Sequence, residues 1–145
     1  MTRQIDPSLD VYVKAALGKK ALHLVVMDVH ALSSVADVFI ICSGRSNRQV
    51  KAIAENIQVE LKKQNIKPLS TEGMSEGHWV LMDYGHIIMH IFYEPVRSFY
   101  DLESLWIDAP RIKTKSMEYL EADDEKQQSY TEFNGEYDGD YSETI

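Results

Sequence analysis

Two apolar runs, Trp79-Val80-Leu81-Met82-Asp83-Tyr84 and Ile87-Ile88-Met89-His90-Ile91-Phe92-Tyr93, flank the dipeptide Gly85-His86, and no other stretch constrains the fold as strongly. Segments this rich in β-branched and aromatic residues favour extended backbone, and a two-residue connection with glycine first suits the tight turn between antiparallel strands. If Tyr84 pairs with Ile87, then Asp83 faces Ile88, Leu81 faces His90 and Trp79 faces Phe92. Side chains alternate across a strand, so Trp79, Leu81, Asp83, Ile88, His90 and Phe92 share one face of the hairpin. The other face holds Val80, Met82, Tyr84, Ile87, Met89, Ile91 and Tyr93; it is more uniformly apolar and is the expected core. The mixed face admits two readings. Asp83 and His90 could form an internal hydrogen bond with Trp79 in the core. Alternatively, Trp79 is an aromatic anchor with polar neighbours on an uncovered sheet face.

Upstream, Leu9, Val13, Ala16 and Leu17 recur at helical spacing after Ser8, predicting a capped helix from Leu9 to Lys19 with Gly18 near its end. The runs Leu22–Met27 and Val38–Ile41 read as strands. Neither alternates cleanly, so both are expected to be buried on two faces under helical cover. Ser46 or Asn47 starts the clearest helix, with Val50, Ile53, Ala54, Ile57 and Leu61 inside and Arg48, Lys51, Glu55, Gln58 and Lys62 outside. Asn65 and Pro68 end it. A further strand is expected near Lys67 to Ser70 before the Glu72-Gly73 turn. A last helix from Arg97 to Leu105 carries Phe99, Leu102, Leu105 and Trp106 on one side, and Pro110 follows it. The order predicts an α/β single domain: a mixed sheet of about five strands with flanking helices, over residues 1–115. Residues 116–145 lose periodicity and read as a disordered acidic tail.

Charge follows the same division. The chain has a formal net charge of −8, but ten acidic residues and one lysine lie from Glu118 onward, leaving the preceding part close to neutral. Such a domain is expected to lack the dense basic stripe that neutralises phosphates, which disfavours direct, sequence-specific nucleic-acid binding. The single cysteine, Cys42, lies in an apolar run, so neither a disulfide framework nor a cysteine zinc site is available, and a cytoplasmic location is the default. No apolar run reaches the roughly 20 residues a membrane-spanning helix needs.

Gly44-Arg45-Ser46 is a candidate for catalytic chemistry, because a strand leads into a helix there and backbone N–H groups could hold a phosphate. A nucleotidyltransferase would also need paired carboxylates for divalent metal there, and no close acidic pair follows the turn. Glycine permitting the turn and Ser46 or Asn47 capping the helix is the simpler reading. His23, His30, His78, His86 and His90 include no helical pair of metal-ligand spacing, so neither a metal nor a cofactor is expected. Asp37, and Arg97 with Glu103, are expected in surface pairing or capping. The acidic, tyrosine-containing tail could capture a basic partner or be a solvated extension.

Read in order, Ala36 to Val50, Glu72-Gly73, Trp79 to Gly85, Met89 to Phe92, and Arg97 to Trp106 resemble the ribosomal silencing factor family (RsfS/Iojap-like). Each block is weak alone, but the ordered set is specific and covers roughly Leu9 to Pro110. The resemblance implies a nucleotidyltransferase-like fold without catalysis, hence not an enzyme, and a homodimer when free. It also implies docking on the large ribosomal subunit through large-subunit ribosomal protein number fourteen. The implied mechanism is steric: the factor blocks joining of the small subunit and represses translation when nutrients are scarce. Partner-binding positions carried over are Trp79, Asp83, Tyr84, Gly85 and His90, with Arg97, Tyr100 and Trp106. His86 departs from the acidic residue usual after Tyr-Gly, which changes the charge of that turn.

Overall fold

The computed structural model describes residues 7–118. In chain order its elements are α1 (Leu9–Leu17), β1 (Leu22–Asp28), β2 (Val38–Gly44), α2 (Asn47–Lys62), β3 (Ser70–Glu72), β4 (Trp79–Asp83), β5 (Ile87–Tyr93), α3 (Glu94–Tyr100), α4 (Leu102–Leu105) and β6 (Arg111–Ile112). They build one six-stranded mixed sheet in the order β3-β4-β5-β2-β1-β6, in which β2 and β5 run parallel and the other pairs are antiparallel. The expected five strands become six because β6 is only two residues long, too short for a periodic signal, and pairs with β1 through Val26 and Met27. β3 starts at Ser70, where the sequence placed the end of that strand. The segment 116–145 lies mostly outside the described residues, but Ser116 is still tied to the domain. Its N–H donates to Asp10 Oδ1 at 3.0 Å and its hydroxyl to Asp10 Oδ2 at 2.8 Å.

The hairpin has the register that the sequence implies: Trp79 opposite Phe92, Leu81 opposite His90, and Asp83 opposite Ile88. Gly85 opens its turn at φ +92°, a conformation that side-chain-bearing residues resist. β2 is buried along its whole length, as its unbroken apolar run requires. β1 is not; its first half stays partly exposed, and its pairing with β2 shifts between Leu22 and Val25 around His23, whose φ is +50°. A bulge at this point breaks the two-sided burial that the apolar run suggested.

Two cores flank the sheet. On one side α1 and α2 cover Val80, Met82, Tyr84, Ile87, Met89 and Ile91 with Val50, Ile53, Ala54, Ile57 and Leu61. Ser46 caps α2: its hydroxyl accepts from the Gln49 N–H at 3.1 Å, while Gln49 Oε1 accepts from the Arg45 N–H at 2.6 Å. Ser8 makes no such side-chain bond at α1. Gly44, before this cap, serves close approach: an added Cβ would lie 3.0 Å from the backbone N and Cγ2 of Val50. The second core holds Met27, Phe39, Ile41, Ile88 and Phe92, with Trp79, Leu102 and Trp106 packed against it. Here the expected single helix from Arg97 to Leu105 is two: Asp101 adopts a left-handed conformation at φ +47°, ends α3 and redirects the chain. The break undoes the common apolar side, and Phe99 and Leu105 turn outward.

Helix α2 offers an internal comparison. Ile57→Ala, in the core, is expected to lower unfolding free energy by about 2–5 kcal/mol. Val59→Ala, at a position 53% exposed on the same helix, should change it by no more than about 0.5 kcal/mol in the same urea titration.

Candidate functional site

The mixed hairpin face and the α3–α4 segment meet in a chain of aromatic contacts. Trp79 stacks on Phe92 with ring centres 4.7 Å apart and leans on Tyr100 at 5.0 Å, and Tyr100 meets Phe99 edge-on at 5.2 Å. Beneath them, His90 lies 5.0 Å from Phe39, which meets Trp106 at 5.0 Å. Phe92 and His90 are buried, whereas Trp79 and Trp106 are half-buried. Phe99 is 82% exposed, Leu105 75%, and Tyr100 and Ile107 are also open. A shallow cleft of about 470 Å³ beside this ridge is lined by His78, Trp79, Pro95, Val96, Phe99 and Tyr100.

Trp79 and His90 are joined directly. The indole N–H can only donate, so His90 Nδ1, at 3.2 Å, accepts and its proton sits on Nε2. Burial pushes the His90 pKa down from 6.5 to about 4, keeping the ring neutral and fit for this acceptor role. The expected Asp83–His90 bond does not form. Asp83 instead accepts from the Gly85 N–H at 2.8 Å, because it sits at the end of β4, next to the turn.

The remaining positions separate. Tyr84 alternates to the opposite face and packs edge-on against Tyr12 at 5.5 Å, where burial raises its phenol to about 12. Arg97 is buried: its Nε and one terminal nitrogen donate to the two Glu103 oxygens at 3.1 and 3.3 Å, and the other terminal nitrogen to Ser43 Oγ at 2.8 Å. The pair expected at the surface thus clasps α3 and α4 onto the end of β2, because the break at Asp101 turns Glu103 back toward Arg97. Of the eight carried-over residues, Trp79, Tyr100 and Trp106 reach the ridge. His90 and Arg97 support it from below, Asp83 and Gly85 shape the turn, and Tyr84 lies beyond the sheet. Sequence reasoning missed Leu105 and Ile107 as surface residues, along with Phe99. Their signal was an excess of large apolar side chains between Glu94 and Ile107 over what one short helix can bury.

At the alternative site, the turn before α2, Cys42 is fully buried and its thiol is raised to about 12 by burial despite the opposing influence of Arg97. Among the described residues no cluster of three His, Cys, Asp or Glu side chains could hold a metal ion, and no helix is long and apolar enough to cross a membrane.

Residues 2–138 match the family described as ribosomal silencing factor during starvation. The chain belongs to the ribosomal silencing factor family. Among its relatives, the protein named ribosomal silencing factor RsfS of Bacillus subtilis is 40% identical over 102 residues, covering 70% of this chain and 86% of that one. The RsfS of Halalkalibacterium halodurans is 37% identical over 109 residues, 75% of this chain and 93% of the relative. A crystal structure of a Chromobacterium violaceum protein superposes with a TM-score of 0.68 at 35% identity, covering 72% of this chain and 87% of that one. The family match spans every element of the ridge, from β4 through α4.

The Trp79–His90 pair predicts a pH signature. A histidine whose folded pKa lies below its unfolded value contributes stability that is present above about pH 6.5 and lost as pH falls toward about 4. The loss should approach roughly 3 kcal/mol, and His90→Phe should flatten that part of the stability curve in urea titrations across pH 7 to 4.

Proposed function

We propose that this protein represses translation by docking on the large ribosomal subunit through large-subunit ribosomal protein number fourteen, where it blocks joining of the small subunit when nutrients are scarce. Membership of a family whose relatives are named ribosomal silencing factor supports the activity. The observation that carries the docking reading is the exposed ridge of Phe99, Tyr100, Leu105 and Ile107 beside the half-buried Trp79. Large apolar side chains left exposed over one short segment mark protein contacts, and aromatic anchors supply most of their energy. The local charge favours a basic protein over nucleic acid: the stretch from Glu72 to Asp108, which supplies β4, β5, α3 and α4, carries seven acidic side chains and one arginine.

In this reading Trp79, Tyr100 and Trp106 contact the partner, and Asp83 and Gly85 with His86 present the hairpin turn. His90 and Arg97 hold the contacting elements from beneath, and Tyr84 anchors the hairpin to the helical layer. The protein acts in the cytoplasm by occupancy alone, with no catalytic step. The same apolar ridge gives the free chain a surface on which a second copy can seat as a homodimer.

The test is co-sedimentation with purified large subunits. Phe99→Ala and Leu105→Ala should each weaken binding about tenfold or more while moving stability by no more than about 0.5 kcal/mol, since both side chains are exposed. Trp79→Ala should lower both binding and stability, because the indole belongs to ridge and core together. Undiminished binding by a Phe99→Ala, Leu105→Ala double variant would remove the ridge from the docking surface.

A further inference from the structure

Five of the 13 Lys and Arg side chains in the described fold lie in two short segments, residues 18–20 and 45–52, which hold no acidic residue. The fold brings these segments together beside the C-terminal end of β2. Gln49, in the first turn of α2, joins them through a single amide: its Nε2 donates to the Lys19 and Lys20 carbonyls at 3.4 and 3.2 Å, while its Oε1 accepts from the Arg45 N–H at 2.6 Å. Lys19, Lys20, Arg45 and Arg48 are exposed, and Lys51 is half-buried. Among the described residues none of the five is in an ion pair. Glu76 and Glu94, on segments that adjoin this corner, lie against His78 at 3.7 Å and His23 at 3.1 Å. The cluster is compact and does not continue as a stripe along α2, where Glu55 and Val59 are exposed farther on.

Lys20 sits on an unusual backbone for a residue with a side chain. Its φ is +59°, in the left-handed region that favours glycine, although Gly18 stands two positions earlier at φ −62°. Such conformations persist where neighbouring structure fixes them, as Gln49 does here, and they gather at functional sites. The corner also borders the apolar ridge. Gly77 packs on the first turn of α2, where an added Cβ would fall 2.7 Å from the Asn47 carbonyl oxygen and 3.1 Å from Lys51 Cε. Its neighbours Glu76 and His78 line the 470 Å³ cleft with Trp79, Phe99 and Tyr100, and the His78 carbonyl accepts from the Tyr93 N–H at 2.9 Å. One loop, residues 73–78, therefore separates the cationic corner from the ridge.

We propose that Lys19, Lys20, Arg45, Arg48 and Lys51 form a seat for the phosphate backbone of RNA. The setting rests on the docking reading above: a large ribosomal subunit offers RNA next to protein, so a body held at the ridge meets phosphates one loop away. Cations without carboxylate partners gain affinity by displacing the counterions of a polyanion, and phosphate contacts carry no base information. The corner thus needs no sequence-specific readout. RNA fits better than an acidic protein, because these segments contain none of the large exposed apolar side chains on which protein contacts centre. Two grips of unlike chemistry on either side of one loop then fix the orientation of the docked factor.

The test begins with RNA alone. The full chain should bind a fluorescent single-stranded RNA of roughly 20 nucleotides at about 50 mM salt, read by anisotropy. Arg45→Gln with Arg48→Gln should weaken this about tenfold or more and flatten the slope of log affinity against log salt by about 1.4. Lys62→Gln with Lys63→Gln removes the same charge about 20 Å farther along α2, beyond the screening length, and should leave binding near the unaltered value. All four side chains are exposed, so the urea midpoints of both variants should match that of the unaltered chain. No RNA binding by the unaltered chain, or equal loss in the two variants, overturns the proposal. Displacement of RNA by polyglutamate as readily as by unlabelled RNA at equal charge would assign the corner to acidic protein and overturn it as well. In co-sedimentation with large subunits, the Arg45→Gln, Arg48→Gln variant should lose affinity most at low salt; unchanged affinity and salt slope would refute the RNA contact in the docked state. The Phe99→Ala, Leu105→Ala variant should keep its binding to RNA alone. If it also keeps full subunit binding while the corner variant loses RNA, the ridge reading falls and the corner stands.

Discussion

The parallel pairing of β2 with β5 holds the rest of the molecule in place. Seven residue pairs, from Val38–Ile87 to Gly44–Tyr93, align two strands that are buried on both faces. Parallel neighbours cannot be joined by a tight turn, so the chain between them must cross over, and it does so through α2 and the β3–β4 ribbon. The crossover commits α2 to one face of the sheet. The other face of the same two strands is then left to whatever follows β5, and α3 begins at Glu94, directly after it.

Burial on both faces also explains why one sheet supports two different surfaces. The α1–α2 side is sealed by an amphipathic helix whose apolar stripe is complete. The opposite side is closed only by α3, α4 and the segment leading to β6, whose elements are too short to shield their own side chains. Phe99, Leu105 and Ile107 are consequently exposed while Phe39, Phe92 and His90 beneath them are not. The neutral ring of His90 gives the Trp79 N–H an acceptor in this second core, while its buried Nε2 finds no hydrogen-bond partner among the described residues. Arg97, bidentate on Glu103, fixes the redirected chain after Asp101 in the same way.

Charge completes the asymmetry. Neither the −8 of the whole chain nor the near-zero sum of the domain describes what a partner meets. Residues 7–20 and 45–67, which form α1, α2 and their flanks, carry nine Lys or Arg side chains against three acidic ones, and the other described residues carry four against ten.

The sequence by itself determined the strands of the hairpin and their register, the path of α2 with its cap narrowed to Ser46 or Asn47, and the ordered blocks of the family. These are legible because each is written in local periodicity or in turn chemistry: alternation about Gly85-His86, helical spacing from Val50 to Leu61. Only the tertiary structure decided that Asp83 turns to the hairpin backbone instead of His90 and that Arg97 is buried. It alone broke the last helix at Asp101. The physical reason is common to all of these: each depends on which element lies across the gap from a side chain, and that neighbour is set by the crossover between β2 and β5, tens of residues away in the chain.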